Sequence, residues 1–375
     1  MPRDFKSSTF VFVSSRQSPT MGRVESRMIK VMAALVERGS TVLVICAPKS
    51  RMADAATAIG VEVAPYHLDR FNFIRTRSRV RKYLQRHRPV VVHSTGLEAD
   101  LIARSAARDL PTAAVNTITC VDWPRRGTSL LARGLRRWID GRSLEHADAI
   151  VTDCKLLGSR LVDAGVEAER IMVDPPSIDI VEVQAQAAVD VSAAMPTRTT
   201  GPLVGYGGRM EASRGLEQLV DASAILGVRG TKAEVVIAGD GPLLAELKGS
   251  NRSSRVRFLG WVESVPAVLK ELAVAVFPSV EAGVPTALLE AAALGRPIVA
   301  SGVEGVSELF EDGREIRLVP PGDAKALAVA IADLVADRET AMAMGERARQ
   351  RTLDEYSSAA SIERHLALYR RFMKG

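Results

Sequence analysis

Short apolar runs alternate with stretches of helical periodicity along this chain, and the alternation restarts after one interruption. In the first half, apolar runs such as Thr9–Ser14, Thr41–Cys46 and Ala149–Thr152 are separated by amphipathic stretches such as Val24–Arg38. Strands roughly 30 residues apart with helices between them predict β-α-β units and a parallel sheet buried on both faces. Residues 189–201, rich in small residues, Thr, Pro and Gly, are typical of a linker. We therefore predict an α/β fold of two doubly wound, parallel-sheet, Rossmann-like domains that face each other across a cleft.

The linker sets the predicted domain boundaries. We assign residues 1–188 to an N-terminal domain and residues 202–355 to a C-terminal domain. Residues 356–375 are expected to form a helix that packs back on the N-terminal domain. With 375 residues, 47% of them hydrophobic and 25% charged, the chain is long and apolar enough to bury two cores, so disorder throughout is excluded.

The cysteines and the hydropathy profile narrow the class of protein further. Cys46, Cys120 and Cys154 are widely spaced and include no C-x-x-C pair, so neither a disulfide framework nor a zinc site is indicated. No apolar run approaches the roughly 20 residues of a membrane span, and the N-terminus has no signal-peptide core. We expect a cytoplasmic protein.

The net charge of +6 is unevenly distributed. Residues 1–188 have 28 Lys or Arg and 20 Asp or Glu, a balance of +8, whereas residues 189–375 have 22 and 24, a balance of −2. The cations of the first half cluster on or beside two predicted helices: Arg75, Arg77, Arg79, Arg81, Lys82, Arg86 and Arg88 on one, and Arg125, Arg126, Arg133, Arg136, Arg137 and Arg142 on the other. A basic amphipathic helix suits an anionic membrane, where each cation contributes roughly 1 kcal/mol.

A solvated helix face explains the same pattern of cations. Binding to nucleic acid is disfavoured because no nucleic-acid-binding motif accompanies the charge.

Ligands of doubly wound sheets bind outside the carboxyl ends of the strands, so the loops after strands are the expected sites. The first strand is followed by a single glycine, Gly22, and not by G-x-G-x-x-G, which argues against a NAD or FAD enzyme. The same loop contains Ser14, Ser15, Thr20 and Arg23 near a helix start, a set that suits an anion or a sugar. A solvated surface loop is equally consistent with these residues.

Two loops of the second half have the composition of a diphosphate site. The first strand there is followed by Gly208 and Arg209, and Arg214 stands at the start of the next helix. Glycine lets the backbone approach a ligand, and arginines beside a helix N-terminus pair bidentately with phosphate. The next loop, with Gly239 and Asp240, is a tight turn after a strand. A surface pair of arginines and an ordinary turn would give the same residues.

The segment 276–313 adds carboxylates to these cations. It contains Glu281 in an acidic loop, Gly283 in a Gly-Pro turn, and Glu290 in the first turns of a helix. The helix dipole stabilises a carboxylate near a helix start, and that carboxylate can accept two ribose hydroxyls. Backbone N–H groups around residues 302–305 can cradle phosphate.

Taken together, these segments resemble the retaining GT-B glycosyltransferases of family 4, the group 1 glycosyl transferases. The similarity is strong over Leu203–Asp323, where GGR…RG, AGDGP, FLGWV, FPS…LLEAAALGRPIVAS and LVPPGD occur in the family's order, and it is architectural over residues 1–188. The resemblance implies that Arg209 and Arg214 hold the donor diphosphate, with Arg214 where the family usually has Lys. It also implies that Glu290 binds the nucleotide ribose.

Three positions depart from the family pattern. The family's first glutamate, which faces the transferred sugar, falls at Ala282, and Glu281 lies one residue early. A loop of the first half has Thr119 and Cys120 where the family commonly has a histidine. Ile316 stands where the family has a glycine.

The function implied by the resemblance is sugar transfer from a nucleoside-diphosphate sugar to an acceptor hydroxyl with retention of configuration, in glycan, glycolipid or cell-envelope polysaccharide synthesis. The catalytic candidates are Arg209, Arg214 and Glu281, and the donor-binding candidates are Gly22, Gly208, Arg209, Arg214, Gly239, Asp240, Gly283 and Glu290. The two arginines stabilise the leaving diphosphate, so no metal cofactor is expected. The expected partners are the donor, a glycan or lipid-linked acceptor and an anionic surface at the inner face of the cell membrane, without nucleic acid.

Two other classes of function stay open at this point. A sugar-nucleotide epimerase of the GT-B fold would convert the donor without an acceptor. A degenerate member would bind a sugar nucleotide or a partner without catalysis, which the departures at Ala282 and Thr119 allow.

Overall fold

The chain forms two compact units in a computed structural model that describes residues 4–15, 21–68, 73–119, 144, 146–196, 199, 201–250 and 253–373. The first unit comprises Met1–Pro175 with Ala359–Gly375, and the second comprises Pro176–Ser358. The helix predicted around residues 130–142, with its cations, lies outside the described residues, as do Thr20 and Cys120.

The first unit is a parallel sheet with helices along its strands. Its described strands are β1 (Thr9–Ser14), β2 (Thr41–Cys46), β3 (Glu62–Pro65), β4 (Val91–Thr95), β5 (Ala113–Ile118), β6 (Ala149–Thr152) and β7 (Ile171–Val173). Its described helices are α1 (Arg23–Glu37), α2 (Arg51–Ala58), α3 (Phe73–His87), α4 (Leu97–Ala107) and α5 (Lys155–Asp163). The strand order is β3-β2-β1-β4-β5-β6-β7, so the direction of winding reverses between β1 and β4.

The second unit repeats this architecture. Its described strands are β8 (Leu203–Gly207), β9 (Glu234–Ala238), β10 (Val256–Gly260), β11 (Val274–Phe277), β12 (Ile298–Ser301) and β13 (Arg317–Val319). Its described helices are α6 (Ile180–Gln186), α7 (Leu216–Val228), α8 (Leu244–Ser250), α9 (Val265–Glu271), α10 (Thr286–Ala293), α11 (Val306–Leu309), α12 (Ala324–Ala336) and α13 (Arg338–Glu355). The strand order β10-β9-β8-β11-β12-β13 reverses between β8 and β11. The predicted α/β fold with two doubly wound parallel sheets is confirmed.

The final helix, α14 (Ser358–Phe372), belongs to the first unit over almost all of its length. Its Leu366 and Tyr369 are fully buried in the same cluster as Phe10 and Val44 of the sheet. The hydrophobic core of the first unit therefore combines residues from the beginning and from the end of the sequence.

Residues 176–188, which the sequence analysis assigned to the first domain, lie in the second unit. The reason is local: they contain α6, and Ser264 Oγ at the start of α9 donates a 2.7 Å hydrogen bond to the carbonyl of Gln186. Val183 of α6 is buried in the core of the second unit. The change of unit occurs at the Pro175–Pro176 step, before the composition shift at residue 189.

Candidate functional site

The loops after β8 and β9 are joined at the carboxyl edge of the second sheet. Met210 N–H donates to the carbonyl of Asp240 at 2.9 Å, and Leu243 N–H donates back to Met210 at 3.2 Å. Gly239 has a φ of +122°, and a Cβ there would lie 1.9 Å from the carbonyl oxygen of Gly208. Only glycine allows this approach, so three predicted donor-binding residues, Gly208, Gly239 and Asp240, lie together.

The loop after β8 is also tied to the loop after β11. Gly215, the N-cap of α7, has a φ of +63°, and a Cβ there would lie 2.0 Å from the carbonyl oxygen of Pro278. Two residues before Gly215, the Ser213 carbonyl accepts a 3.0 Å hydrogen bond from Val280 N–H. These contacts lie at the β8/β11 switch point, where ligands of doubly wound sheets bind.

Gly283 links the loop after β11 to the loop after β12, because its N–H donates to the carbonyl of Glu304 at 2.8 Å. Glu281 lies in the same β11–α10 loop with an exposed side chain. Glu290 lies one turn inside α10 and is partly buried. Burial and, to a lesser extent, the negative charge of Glu182 on α6 raise the pKa of its carboxyl from 4.5 to about 7. The carboxyl of this candidate ribose ligand therefore binds its proton more tightly than an ordinary glutamate does.

The two candidate arginines lie on the loop between β8 and α7. Arg209 is 74% exposed, and its Nε lies 2.8 Å from Oε1 of Glu211. Arg214 ends the short 3₁₀ helix Ala212–Arg214 and is partly buried. Beneath them the Tyr206 hydroxyl donates to the carbonyl of Arg209 at 2.8 Å. Burial raises the pKa of Tyr206 to about 12, with Arg214 lowering it and Glu211 raising it, so the charges of both loop residues reach this hydroxyl.

Gly22 belongs to the first unit, whereas the other site candidates belong to the second. It is the N-cap of α1 without a side-chain cap, and its carbonyl accepts from Ser26 N–H at 2.9 Å. Directly after β1, Ser15 Oγ donates to Oε2 of Glu98 at 3.3 Å. Thr119, at one of the departures from the family pattern, is buried.

Two residues at this edge of the second unit were not identified from the sequence as site residues. Trp261 directly follows β10 and is 74% exposed. It lies beside the β9 loop, because Gly239 N–H donates to the carbonyl of Gly260 at 2.7 Å. The FLGWV motif places Trp261 directly after a predicted strand, and this position could have identified it as a site candidate from the sequence. Glu211 had no such signal, since a lone charge in a loop is typical of solvated surface.

The second unit is a doubly wound α/β fold. At its switch point, where ligands of such sheets bind, lie glycine-dependent loops, two arginines, a helix N-terminus and a partly buried carboxylate. Two family models match the chain in succession, a glycosyl transferase 4-like domain over residues 24–177 and glycosyl transferases group 1 over residues 201–337. The chain belongs to the group 1 glycosyltransferases, as the resemblance in the sequence implied.

Individual curated relatives match parts of the chain. Alpha-D-kanosaminyltransferase of Streptomyces kanamyceticus is 33% identical over 175 residues, 45% of each chain. The lipopolysaccharide core biosynthesis glycosyltransferase LpsE of Rhizobium meliloti is 28% identical over 227 residues, 60% of this chain and 64% of that one. The matched part spans less than two thirds of the length of these relatives.

Solved structures match over nearly the whole length. HepE of Anabaena in complex with UDP aligns with a TM-score of 0.77 and 17% identity, covering 96% of this chain and 99% of that one. A glycosyltransferase from Rickettsia africae aligns with a TM-score of 0.77 and 14% identity, covering 98% and 99%. At these identities the likeness shows the GT-B fold.

Among the helices of the described residues, none combines the length and the apolar character that a membrane crossing requires.

Proposed function

We propose that this chain is a glycosyltransferase that moves a sugar from a nucleoside-diphosphate sugar to an acceptor hydroxyl with retention of configuration, in the synthesis of a glycan or polysaccharide. The observation that supports it most directly is the joining of the loops after β8, β9, β11 and β12 by backbone hydrogen bonds at one sheet edge. Arg209, Arg214 and Glu290 are all on these loops or on the helices that follow them. The relatives named for kanosamine transfer and lipopolysaccharide core synthesis support the same class of reaction.

Each part of the donor has a matching group at this edge. Arg209, Arg214 and the N-terminus of α7 bind the diphosphate, since guanidinium groups and helix N-terminal N–H groups favour phosphate. Glu290 accepts hydrogen bonds from the ribose hydroxyls. Trp261 offers its exposed ring to the base. Crystal structures of HepE hold UDP and UDP-glucose, which makes uridine donors the first choice for experiments.

The chemistry is a front-side displacement. The bond between the sugar C1 and the diphosphate oxygen breaks while the acceptor oxygen bonds to C1 on the same face, and the acceptor proton passes to the leaving diphosphate. Arg209 and Arg214 stabilise the charge that develops on that diphosphate, so the transfer requires no metal. Glu281, exposed on the β11–α10 loop, contacts the transferred sugar. Gly22 contributes the open N-terminus of α1 to substrate binding.

The acceptor is a glycan or a lipid-linked sugar presented at an anionic membrane surface. This part of the proposal rests on α3, whose six Arg and Lys side chains are accompanied by no acidic residue. Arg75, Arg79, Lys82 and Arg86 are exposed at spacings that place them on one face. Ile74, 82% exposed, adds an apolar contact at the start of the same helix.

Membrane contact is tested by flotation with vesicles of phosphatidylcholine alone or with anionic phosphatidylglycerol. We expect binding to the anionic vesicles and its loss in the triple variant Arg75→Gln, Arg79→Gln, Lys82→Gln. The matched control is Arg229→Gln, Lys232→Gln, Lys325→Gln, which removes three exposed cations from the second unit. Equal flotation of both variants would refute a role for α3.

Sugar transfer itself is tested by incubating the protein with UDP-, GDP-, ADP- and dTDP-sugars, with and without candidate acceptors. Arg209→Ala is expected to lower the rate by about 10²–10³, by analogy with the loss of one oxyanion donor. Arg229→Ala, which removes an exposed arginine at the end of α7, is the control and is expected to keep full activity. Near-normal transfer by Arg209→Ala would contradict the proposal, and so would a requirement for divalent metal revealed by EDTA. Formation of an epimer without acceptor would indicate the epimerase instead.

A further inference from the structure

We infer that Glu211 is an internal competitor for the donor diphosphate: its carboxylate binds Arg209 in the ligand-free chain, is displaced when the nucleotide binds, and weakens binding of the nucleoside diphosphate product more than that of the donor. The inference rests on the proposed function, because it assigns Arg209 to the diphosphate.

The geometry provides the first step. Oε1 of Glu211 lies 2.8 Å from Nε of Arg209, with the Glu211 side chain 38% exposed. The backbone carbonyl of Glu211 accepts a 2.9 Å hydrogen bond from the backbone N–H of Arg214, so the main chain at Glu211 is held in the short turn between the two candidate arginines. Carboxylate and phosphate oxygens are both charged acceptors for a guanidinium N–H, so Oε1 of Glu211 occupies Nε of Arg209 as a phosphate oxygen would.

The charge of Glu211 also acts on the rest of the loop, as the hydroxyl of Tyr206 shows. The Tyr206 hydroxyl, bonded to the Arg209 carbonyl, responds to the positive charge of Arg214 and to the negative charge of Glu211 in opposite directions. Glu211 therefore lowers the positive potential of the loop as well as pairing with one of its cations. The other acid of the paired loop, Asp240, already accepts a 2.7 Å hydrogen bond from Gly241 N–H.

The negative charge of Glu211 affects the binding of product and of donor to different extents. Because the Arg209–Glu211 pair is partly exposed, breaking it costs little and depends on salt. Repulsion by the displaced Glu211 is stronger for a free nucleoside diphosphate than for a sugar nucleotide, since the terminal phosphate of the product carries an additional negative charge above pH 6. Glu211 thus favours release of the product over release of the donor.

The test compares wild type, Glu211→Gln and Glu217→Gln by titration calorimetry with UDP, GDP, ADP and dTDP at 50 and 300 mM salt. Glu217 is an exposed carboxylate in the first turn of α7, so its variant removes the same charge nearby without touching Arg209. For the nucleotide that binds best, we expect Glu211→Gln to tighten binding about threefold to tenfold at low salt, with a smaller gain for the matching sugar nucleotide. We expect the gain to shrink at high salt, and Glu217→Gln to change binding less than twofold.

A double-mutant cycle separates pairing from general charge. If Glu211 competes for Arg209, the gain from Glu211→Gln should be smaller in the Arg209→Ala background, where only the repulsion between Glu211 and the phosphate remains. Unchanged or weaker binding of the diphosphate by Glu211→Gln, or an equal gain in the presence and absence of Arg209, would overturn the inference while leaving the proposed function intact. Failure of every nucleotide to bind both wild type and Glu211→Gln would refute the proposed function and this inference with it.

Discussion

Arg364 Nε donates a 2.7 Å hydrogen bond to Oδ1 of Asp174, a residue 190 positions earlier in the chain. Arg27 donates to the other carboxylate oxygen and to the Asp174 carbonyl, and Ser361 Oγ donates to the carboxylate at 2.7 Å. The Asp174 side chain is fully buried and directly precedes Pro175, where the chain leaves the first unit. A single carboxylate thus joins α1, the end of β7 and α14 within that unit.

Replacing Asp174 by Asn is expected to destabilise the first unit by about 3–5 kcal/mol, because it leaves two arginines without their buried counter-ion. Glu363→Gln is the matched control, since the Arg38–Glu363 pair joins the same two helices at 2.9 Å but is exposed. We expect less than about 1 kcal/mol for that change. Urea unfolding at pH 7 measures both changes in the free energy of unfolding. Equal changes for the two variants would show that burial does not determine how much an ion pair stabilises this unit.

The Asp174 cluster also predicts a dependence on pH. Burial raises the pKa of this carboxyl, but the charges of Arg27, His365 and Arg364 lower it more, so the net pKa lies below its ordinary value. A depressed pKa means that the stabilisation is present above the pKa of the unfolded chain and is lost as the pH falls through the folded pKa. The difference in free energy of unfolding between wild type and Asp174→Asn should therefore shrink as the pH falls below 3.8, the ordinary pKa of this carboxyl. Urea unfolding at pH 7 and pH 3, followed by circular dichroism, measures this difference, and the same difference at both pH values would contradict the depressed pKa.

The carboxyl of Glu290 is expected to give stability the opposite dependence on pH. Its pKa of about 7 lies above the ordinary value of 4.5, so the folded protein holds a proton that the unfolded chain releases. The carboxylate therefore destabilises the second unit at high pH, and the penalty disappears below about pH 4.5. Glu290→Gln should raise the free energy of unfolding by about 3 kcal/mol at pH 8 and by less than about 1 kcal/mol at pH 5. The same gain at both pH values would contradict the raised pKa.

Binding of the sugar-nucleotide donor should depend on whether the Glu290 carboxyl is protonated. A carboxylate accepts both ribose hydroxyls, whereas the protonated form must first lose its proton, so affinity should fall about tenfold per pH unit below pH 7. A sugar nucleotide is the correct probe, because its diphosphate does not titrate in this range. Glu182→Gln should shift the midpoint to lower pH, since the charge of Glu182 raises the pKa of Glu290. A flat pH profile for wild type would rule out Glu290 as the titrating ligand.

Most strands were predictable because they contain apolar runs such as Thr41–Cys46, as buried parallel strands require. The three-residue strand β7 was not predicted, because it is too short to stand out in the sequence. Helix α13 was not predicted, although it is 18 residues long, because the residues it buries are mostly small and leave no apolar stripe in the sequence. The unit boundary was placed too late because the linker-like composition at residue 189 is more visible than the Pro175–Pro176 step.

The placement of the candidate glycines and arginines in loops after strands was predictable because their motifs are contiguous along the chain. What the sequence did not reveal are relationships made by folding: the pairing of Glu211 with Arg209, the charge of Glu182 near Glu290, and the ion cluster around Asp174. Each depends on distances that no local pattern specifies.

The close contact between the β8 and β11 loops predicts that a single added methyl group at Gly215 disrupts the site. Gly215→Ala would place a Cβ 2.0 Å from the Pro278 carbonyl oxygen, so the β8 and β11 loops must separate. Gly230→Ala is the matched control, because Gly230 has a similar φ of +73° and no atom within 4 Å of the added Cβ, which leaves only backbone strain of about 1 kcal/mol. We expect Gly215→Ala to lose nucleotide binding by at least tenfold and Gly230→Ala to retain it. Calorimetry and thermal unfolding of both variants measure this, and normal binding by Gly215→Ala would show that the contact between these loops is not needed to form the site.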